Sequence, residues 1–83
     1  MMQKVVILGS TGSIGTSTLK SLAKTKNFKV FLLTANQDIK KLLKQCILYK
    51  VPYAIIENTN NFKKYKSIFK KKKINLYKLI FSM

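Results

Sequence analysis

Val5-Val6-Ile7-Leu8-Gly9-Ser10-Thr11-Gly12-Ser13-Ile14-Gly15 is the stretch on which the reading of this chain turns. The run from Lys4 to Leu8 is short, continuously apolar and rich in β-branched residues, which predicts a strand buried on both faces of a parallel sheet. From Ser13 the spacing becomes helical, with Ile14, Leu19, Leu22 and Ala23 broadly on one side and Lys20 and Lys24 on the other. A helix of about three turns is expected. All three glycines of the chain lie in the stretch where the one gives way to the other. Strand, glycine-rich turn and helix in this order form the context that a dinucleotide fingerprint requires. Gly9 lets the chain leave the strand in a tight turn, Gly12 lets the backbone approach a pyrophosphate, and Gly15 permits close packing of helix on strand. The amides of Thr11 to Ile14 then face an anion from the positive end of the helix dipole, and the hydroxyls of Ser10, Thr11 and Ser13 add donors. A Walker-type phosphate loop fits less well, because Gly15-Thr16-Ser17 lacks the lysine that loop needs.

Working outward, Val30-Phe31-Leu32-Leu33-Thr34 is a second strand expected beside the first. Ile39, Leu42, Leu43, Cys46 and Ile47 then repeat at helical spacing, with Lys40, Lys41, Lys44 and Gln45 on the wet face and Asp38 at the N-cap. Val51-Pro52 ends that helix. Tyr53-Ala54-Ile55-Ile56 is a third strand, Phe62, Tyr65, Ile68 and Phe69 support a third helix running into Lys70 to Lys73, and Ile74 to Met83 is apolar enough for a fourth strand. Such alternation predicts an α/β fold: a Rossmann-like parallel sheet with flanking helices, incomplete, of about three to four strands and three helices. No repeat, linker or domain boundary is visible, so residues 1–83 read as one unit.

A second test of a dinucleotide site lies about 20 residues past the last glycine, where an acidic residue would hold the ribose 2′-hydroxyl of NAD. The segment there reads Thr34-Ala35-Asn36-Gln37-Asp38, with Asn36 where that carboxylate belongs. Asn36 and Gln37 suit a 2′-phosphate, with Lys40 or Lys41 supplying charge, so the expected cofactor is NADPH.

The composition removes other classes of function. At 83 residues the chain is too short for a complete multidomain catalyst, and with no histidine and one cysteine it has neither an internal disulfide nor a zinc cluster. Cys46 sits on an apolar helical stripe, where a buried structural thiol is expected. The formal charge of +15 suggests nucleic acid or an anionic surface, one alternative reading of this chain as a basic binder with a Rossmann-like core, beside that of a fragment of another NADP-dependent reductase with the same glycine spacing. Every basic residue is lysine, however, and arginine's bidentate fork for base recognition is absent, so no specific nucleic-acid partner is expected. Lys, Asn, Ile, Phe and Tyr all have A- and T-rich codons, which explains the charge without a partner. No run approaches the ~20 apolar residues that span a bilayer, so no membrane partner is expected and the cytoplasm is the expected location.

The string Ile7-Leu8-Gly9-Ser10-Thr11-Gly12-Ser13-Ile14-Gly15, followed by Leu33-Thr34-Ala35-Asn36, Leu42-Leu43-Lys44-Gln45-Cys46 and Pro52-Tyr53-Ala54, resembles the amino-terminal end of the 1-deoxy-D-xylulose 5-phosphate reductoisomerases. The likeness is good to about Glu57 and fades afterwards. It implies an oxidoreductase of the non-mevalonate isoprenoid pathway, usually homodimeric, which rearranges its sugar-phosphate substrate and reduces the product to 2-C-methyl-D-erythritol 4-phosphate with NADPH and a divalent metal, Mg or Mn. By position, the resemblance implies that Gly9, Ser10, Thr11, Gly12, Ser13, Ile14 and Gly15 form the pyrophosphate loop, while Ala35, Asn36, Gln37 and Asp38 surround the adenosine ribose and its 2′-phosphate. Members often carry a basic residue where Gln37 stands. The family's metal-binding carboxylates, substrate-phosphate ligands and lid match nothing in these 83 residues, so no catalytic or metal-ligating residue is assigned and the chain alone is expected to be inactive. An incomplete sheet is expected to expose an edge and an apolar face.

Overall fold

The structure, a computed structural model, describes residues 3–79. Strands Gln3–Ile7 (β1), Phe28–Ala35 (β2), Tyr53–Ile56 (β3) and Asn75–Lys78 (β4) alternate with helices Ser13–Ala23 (α1), Ile39–Leu48 (α2) and Thr59–Lys71 (α3). Positions 80–83 of the predicted fourth strand lie outside the described residues. The strands pair in the order β1-β2-β3-β4, every pair parallel. Because each crossover steps the same way across the sheet, the right-handed rule puts all three helices on one face. There Ile7, Leu33, Ala54 and Ile56 of the sheet meet Leu19, Leu42 and Phe69 of the helices in one buried cluster. The expected Rossmann-like α/β architecture is what the chain forms.

The other face has no helix over it among the described residues. Val6 and Tyr77 point outward there, 52% and 53% exposed. Phe31, Tyr53 and Tyr77 form an aromatic row across three strands, with ring centroids 4.7 and 6.2 Å apart, and the Lys4 ammonium lies 4.9 Å from the centre of the Phe31 ring. The expectation that the first strand is buried on both faces is therefore corrected: Ile7 is buried, whereas Val6 and Leu8 are exposed. An apolar run records what a strand is able to bury, and a sheet wound in one direction covers one side only.

Helix ends follow local chemistry. Asp38 caps α2 by accepting the Lys41 amide at 3.2 Å, and Asn58 caps α3 by accepting that of Asn61 at 3.0 Å. At the other ends, Lys50 (φ 55°) and Lys73 (φ 60°) adopt the left-handed conformation usually given to glycine. Beyond each, the Val51 amide donates to the Cys46 carbonyl at 2.9 Å and the Ile74 amide to that of Phe69 at 3.0 Å. The stop assigned to Val51-Pro52 is thus made one residue earlier. Four apolar positions depart from the predicted faces. Ile14 stands at the loop end of α1, 84% exposed; Ile47 is at the margin of the α2 stripe; Ile68 is turned out beside the fully buried Phe69. The short Ala23 side chain at the end of α1 is exposed as well.

Candidate functional site

The glycine-rich turn leaves β1 at the carboxyl end of the sheet, where ligands of open α/β folds bind. Its first glycine is required by backbone geometry, since Gly9 has φ +68°. The third is required by packing. A Cβ at Gly15 would press on the Gly9 carbonyl oxygen and lie 2.8 Å from the Ser10 Cα. Gly12 differs from both. A Cβ there would meet only the Gly9 carbonyl oxygen, at an ordinary 3.7 Å, and its backbone is extended (φ −75°, ψ 174°). Nothing in the described chain calls for glycine at position 12.

Gly12 is also the N-cap of α1, and no side chain caps this helix. The first-turn amides of Ser13, Ile14 and Gly15 have no intrahelical acceptor by helix geometry. They stand at the positive end of the helix, with the exposed Gly12 and Ser13 and the half-buried Thr11 beside them. The Gly12 amide itself turns back to the Gly9 carbonyl at 3.3 Å, so it leaves the set of amides that sequence spacing aims at an anion.

Three tethers fix the loop. The Gly9 amide donates to the Thr34 hydroxyl at 2.9 Å and the Ser10 amide to the Thr34 carbonyl at 3.0 Å, binding the turn to β2. The Lys41 ammonium of α2 donates to the Thr11 carbonyl at 2.9 Å. Ser10 is fully buried, and its hydroxyl donates to the Gln45 carboxamide oxygen at 2.8 Å while the Gln45 amide nitrogen donates to the Ser10 carbonyl at 2.9 Å. The Ser10 hydroxyl therefore faces α2 and is not a donor to an external anion. Gln45, expected on the wet face, is 7% exposed.

The second segment lies alongside. Ala35 is buried at the end of β2, while Asn36, Gln37 and Asp38 are exposed and lead into α2. A cavity of about 280 Å³ opens between the two segments, lined by Gly9, Thr34, Asn36, Ile55 and Glu57 among others. The Asn36 carbonyl accepts from the Asn61 side chain at 3.0 Å, which holds this turn against α3. Asp38 serves as the cap of α2, and Glu57 is exposed at the cavity; no three of His, Cys, Asp or Glu come together among the described residues. The donor set of a divalent metal is not assembled by these residues. Cys46 is buried in the core, and burial pushes its thiol up to about 12. That is a structural thiol, as its position on the stripe predicted.

Gln45 and Thr34 are the functional neighbours that sequence spacing missed. One signal was available: Gln45 is the neutral member of a polar set that is otherwise lysine on this helix.

A glycine turn opening a helix at the carboxyl edge of a parallel sheet defines a Rossmann-like α/β unit. The family described as 1-deoxy-D-xylulose 5-phosphate reductoisomerase matches residues 5–81, and the chain belongs to it. It is 43% identical over 77 residues to the reductoisomerase of Pelagibacter ubique (strain HTCC1062), covering 92% of this chain and 20% of that protein. Among solved structures, the Zymomonas mobilis reductoisomerase in complex with NADPH superposes with a TM-score of 0.84 at 26% identity, over 94% of this chain and 21% of that one. A DOX-P reductoisomerase in complex with NADPH, fosmidomycin and magnesium has the same fold, with a TM-score of 0.83 at 23% identity over 94% of this chain and 20% of that one. The chain thus spans about one fifth of the length of the relatives it matches.

Proposed function

We propose that this chain is the NADPH-binding N-terminal part of a 1-deoxy-D-xylulose 5-phosphate reductoisomerase, residues 1–83 supplying the first half of its dinucleotide domain. The observation that carries the proposal is Gly12: the fold has room for a side chain there, and the absence of one leaves the uncapped end of α1 open to a pyrophosphate. The amides of Ser13 and Ile14 hold the diphosphate, with the Thr11 and Ser13 hydroxyls as further donors. Asn36 and Gln37, neutral hydrogen-bonding groups at the mouth of the cavity, take the adenosine ribose and its 2′-phosphate. Ala35 and Asp38 shape this turn, Asp38 by capping the helix that follows it.

Bound NADPH supplies a hydride. The residues here orient its adenosine end and leave reduction of the sugar phosphate, the divalent metal and the homodimeric assembly to the complete cytoplasmic enzyme. Among the described residues no helix is long and apolar enough to cross a membrane.

Titration of the chain with NADPH, followed by the cofactor's own emission, tests the proposal. Gly12→Val is expected to weaken binding at least tenfold, about 1.4 kcal/mol, while the chain stays folded with a melting temperature lowered by no more than about 8 °C, the loss that a valine at a helix N-cap brings to a backbone otherwise extended enough to accept it. Equal affinity in the variant and the parent would sink the assignment.

A further inference from the structure

We propose that Gln45 is the positioning residue of the glycine-rich loop, its buried carboxamide setting the placement of the pyrophosphate amides through Ser10. The proposal rests on the NADPH reading above and extends it to a residue outside the loop and outside the ribose turn. Gln45 meets Ser10 twice, once as acceptor from the hydroxyl at 2.8 Å and once as donor to the carbonyl at 2.9 Å. Two bonds of opposite sense to one residue fix both its position and its rotation. The Ser10 carbonyl also accepts from the Thr16 hydroxyl at 3.1 Å, so the peptide leaving Ser10 is held between α1 and α2 just before Thr11 and Gly12.

What makes this more than core satisfaction is where α2 begins. Its N-cap, Asp38, directly follows Asn36 and Gln37, so one rigid helix carries the ribose turn at its start. One turn on, it grips Thr11 through Lys41, and a further turn on it grips Ser10 through Gln45. The spacing between the two halves of the cofactor site is therefore gauged along a single helix, about 10 Å of rise between the backbones of Asp38 and Gln45 at 1.5 Å per residue. A lysine or glutamate at position 45 would bring a charge to a buried site and lose one of the two bonds. Glutamine has both the donor and the acceptor that Ser10 asks for.

The test compares the parent 83-residue chain with Gln45→Leu, with Ser10→Ala/Gln45→Leu, and with the exposed control Lys44→Gln. Replacing both side chains by apolar groups removes the unpaired hydroxyl a single change leaves behind, and the Ser10 carbonyl keeps its bond from the Thr16 hydroxyl, so the double variant keeps its stability close to that of the parent. Two readouts are taken: NADPH affinity, and amide hydrogen exchange of Ser10 and Gly12 without cofactor, with Leu33 and Ala54 as reference amides in the core. In the double variant NADPH affinity is expected to fall at least tenfold and the two loop amides to exchange at least tenfold faster, the reference amides being unchanged. Lys44→Gln is expected to match the parent in both.

Recovery of loop protection and affinity together with stability in the double variant would overturn the proposal, because Gln45 would then serve packing alone. If the parent chain fails to bind NADPH, the function proposed above falls, and the exchange arm still decides whether Gln45 positions the loop.

Discussion

Glycine occurs three times in this chain, and each occurrence answers to a different constraint. Gly9 is demanded by a left-handed φ, Gly15 by backbone packed against it, and Gly12 by neither. The consequences of substitution therefore separate. Gly15→Ala forces the start of α1 away from the Gly9–Ser10 backbone, and overpacking of this kind destabilises by about 1–3 kcal/mol. For a domain of this size each kcal/mol lowers the melting temperature by roughly 4–8 °C, a loss that thermal unfolding followed by circular dichroism reads directly. A variant that melts with the parent would mean the helix can shift without penalty. The glycine roles at 9 and 15 were legible in the sequence, since a strand running into a turn and a helix leaves few ways to close. The left-handed Lys50 and Lys73 were not legible, because lysine carries no local preference for that conformation.

At the scale of the element, α2 shows both how far periodicity reads and where it stops. Ile39, Leu42 and Cys46 are buried as their spacing requires, and Asp38 caps the helix. Gln45, placed with the lysines by its polarity, is instead buried on the flank of the stripe, where its hydrogen bonds offset the loss of water. A pattern of apolar and polar positions contains no information about which polar group has a partner waiting across a tertiary contact. The same limit applies to Lys41, whose reach to Thr11 depends on a loop 30 residues earlier in the chain. The thiol on this helix yields a pH prediction. Cys46 ionises near 9.0 when unperturbed and near 12 in the fold, because burial disfavours the thiolate. The unfolded chain therefore releases this proton first as the pH rises. The contribution to stability is fully present below about pH 9 and is lost progressively between about 9 and 12, with a limiting slope of about 1.4 kcal/mol per pH unit. The measurement is the difference in stability between the parent and Cys46→Ala across this range. The parent is expected to lose stability more steeply above pH 9, and parallel curves would contradict the burial of this thiol.

At the largest scale, the decisive fact is that the strand order does not reverse among the described residues. In doubly wound folds a dinucleotide lies across the crevice beside the first strand, where the order turns back. Here β1 pairs only with β2 among the described residues, so one wall of that crevice is present. The wall carries the glycine turn and the Asn36–Gln37 segment, both proposed above to hold the adenosine end of the cofactor. 2′-Phosphoadenosine 5′-diphosphate, which lacks nicotinamide and its ribose, is expected to bind this chain within about threefold of NADPH, under 1 kcal/mol. Competition for bound NADPH measures it. A ligand lacking the nicotinamide that binds tenfold more weakly would show that these residues also reach the reducing end. An exposed apolar face was expected of an incomplete sheet, yet that β1 would be covered on one side only was not legible, because a strand's composition is indifferent to whether its second face has been given a neighbour.

The aromatic row on that second face has a spectroscopic consequence. The chain contains no tryptophan and four tyrosines, so its ultraviolet emission belongs to tyrosine alone. Tyr53 and Tyr77 stand on the helix-free side of the sheet, with Tyr77 half open to water. Whatever comes to lie on that side will change the light these two rings emit and shield Tyr77 from an aqueous quencher, so the protein carries its own label for the approach of a neighbour.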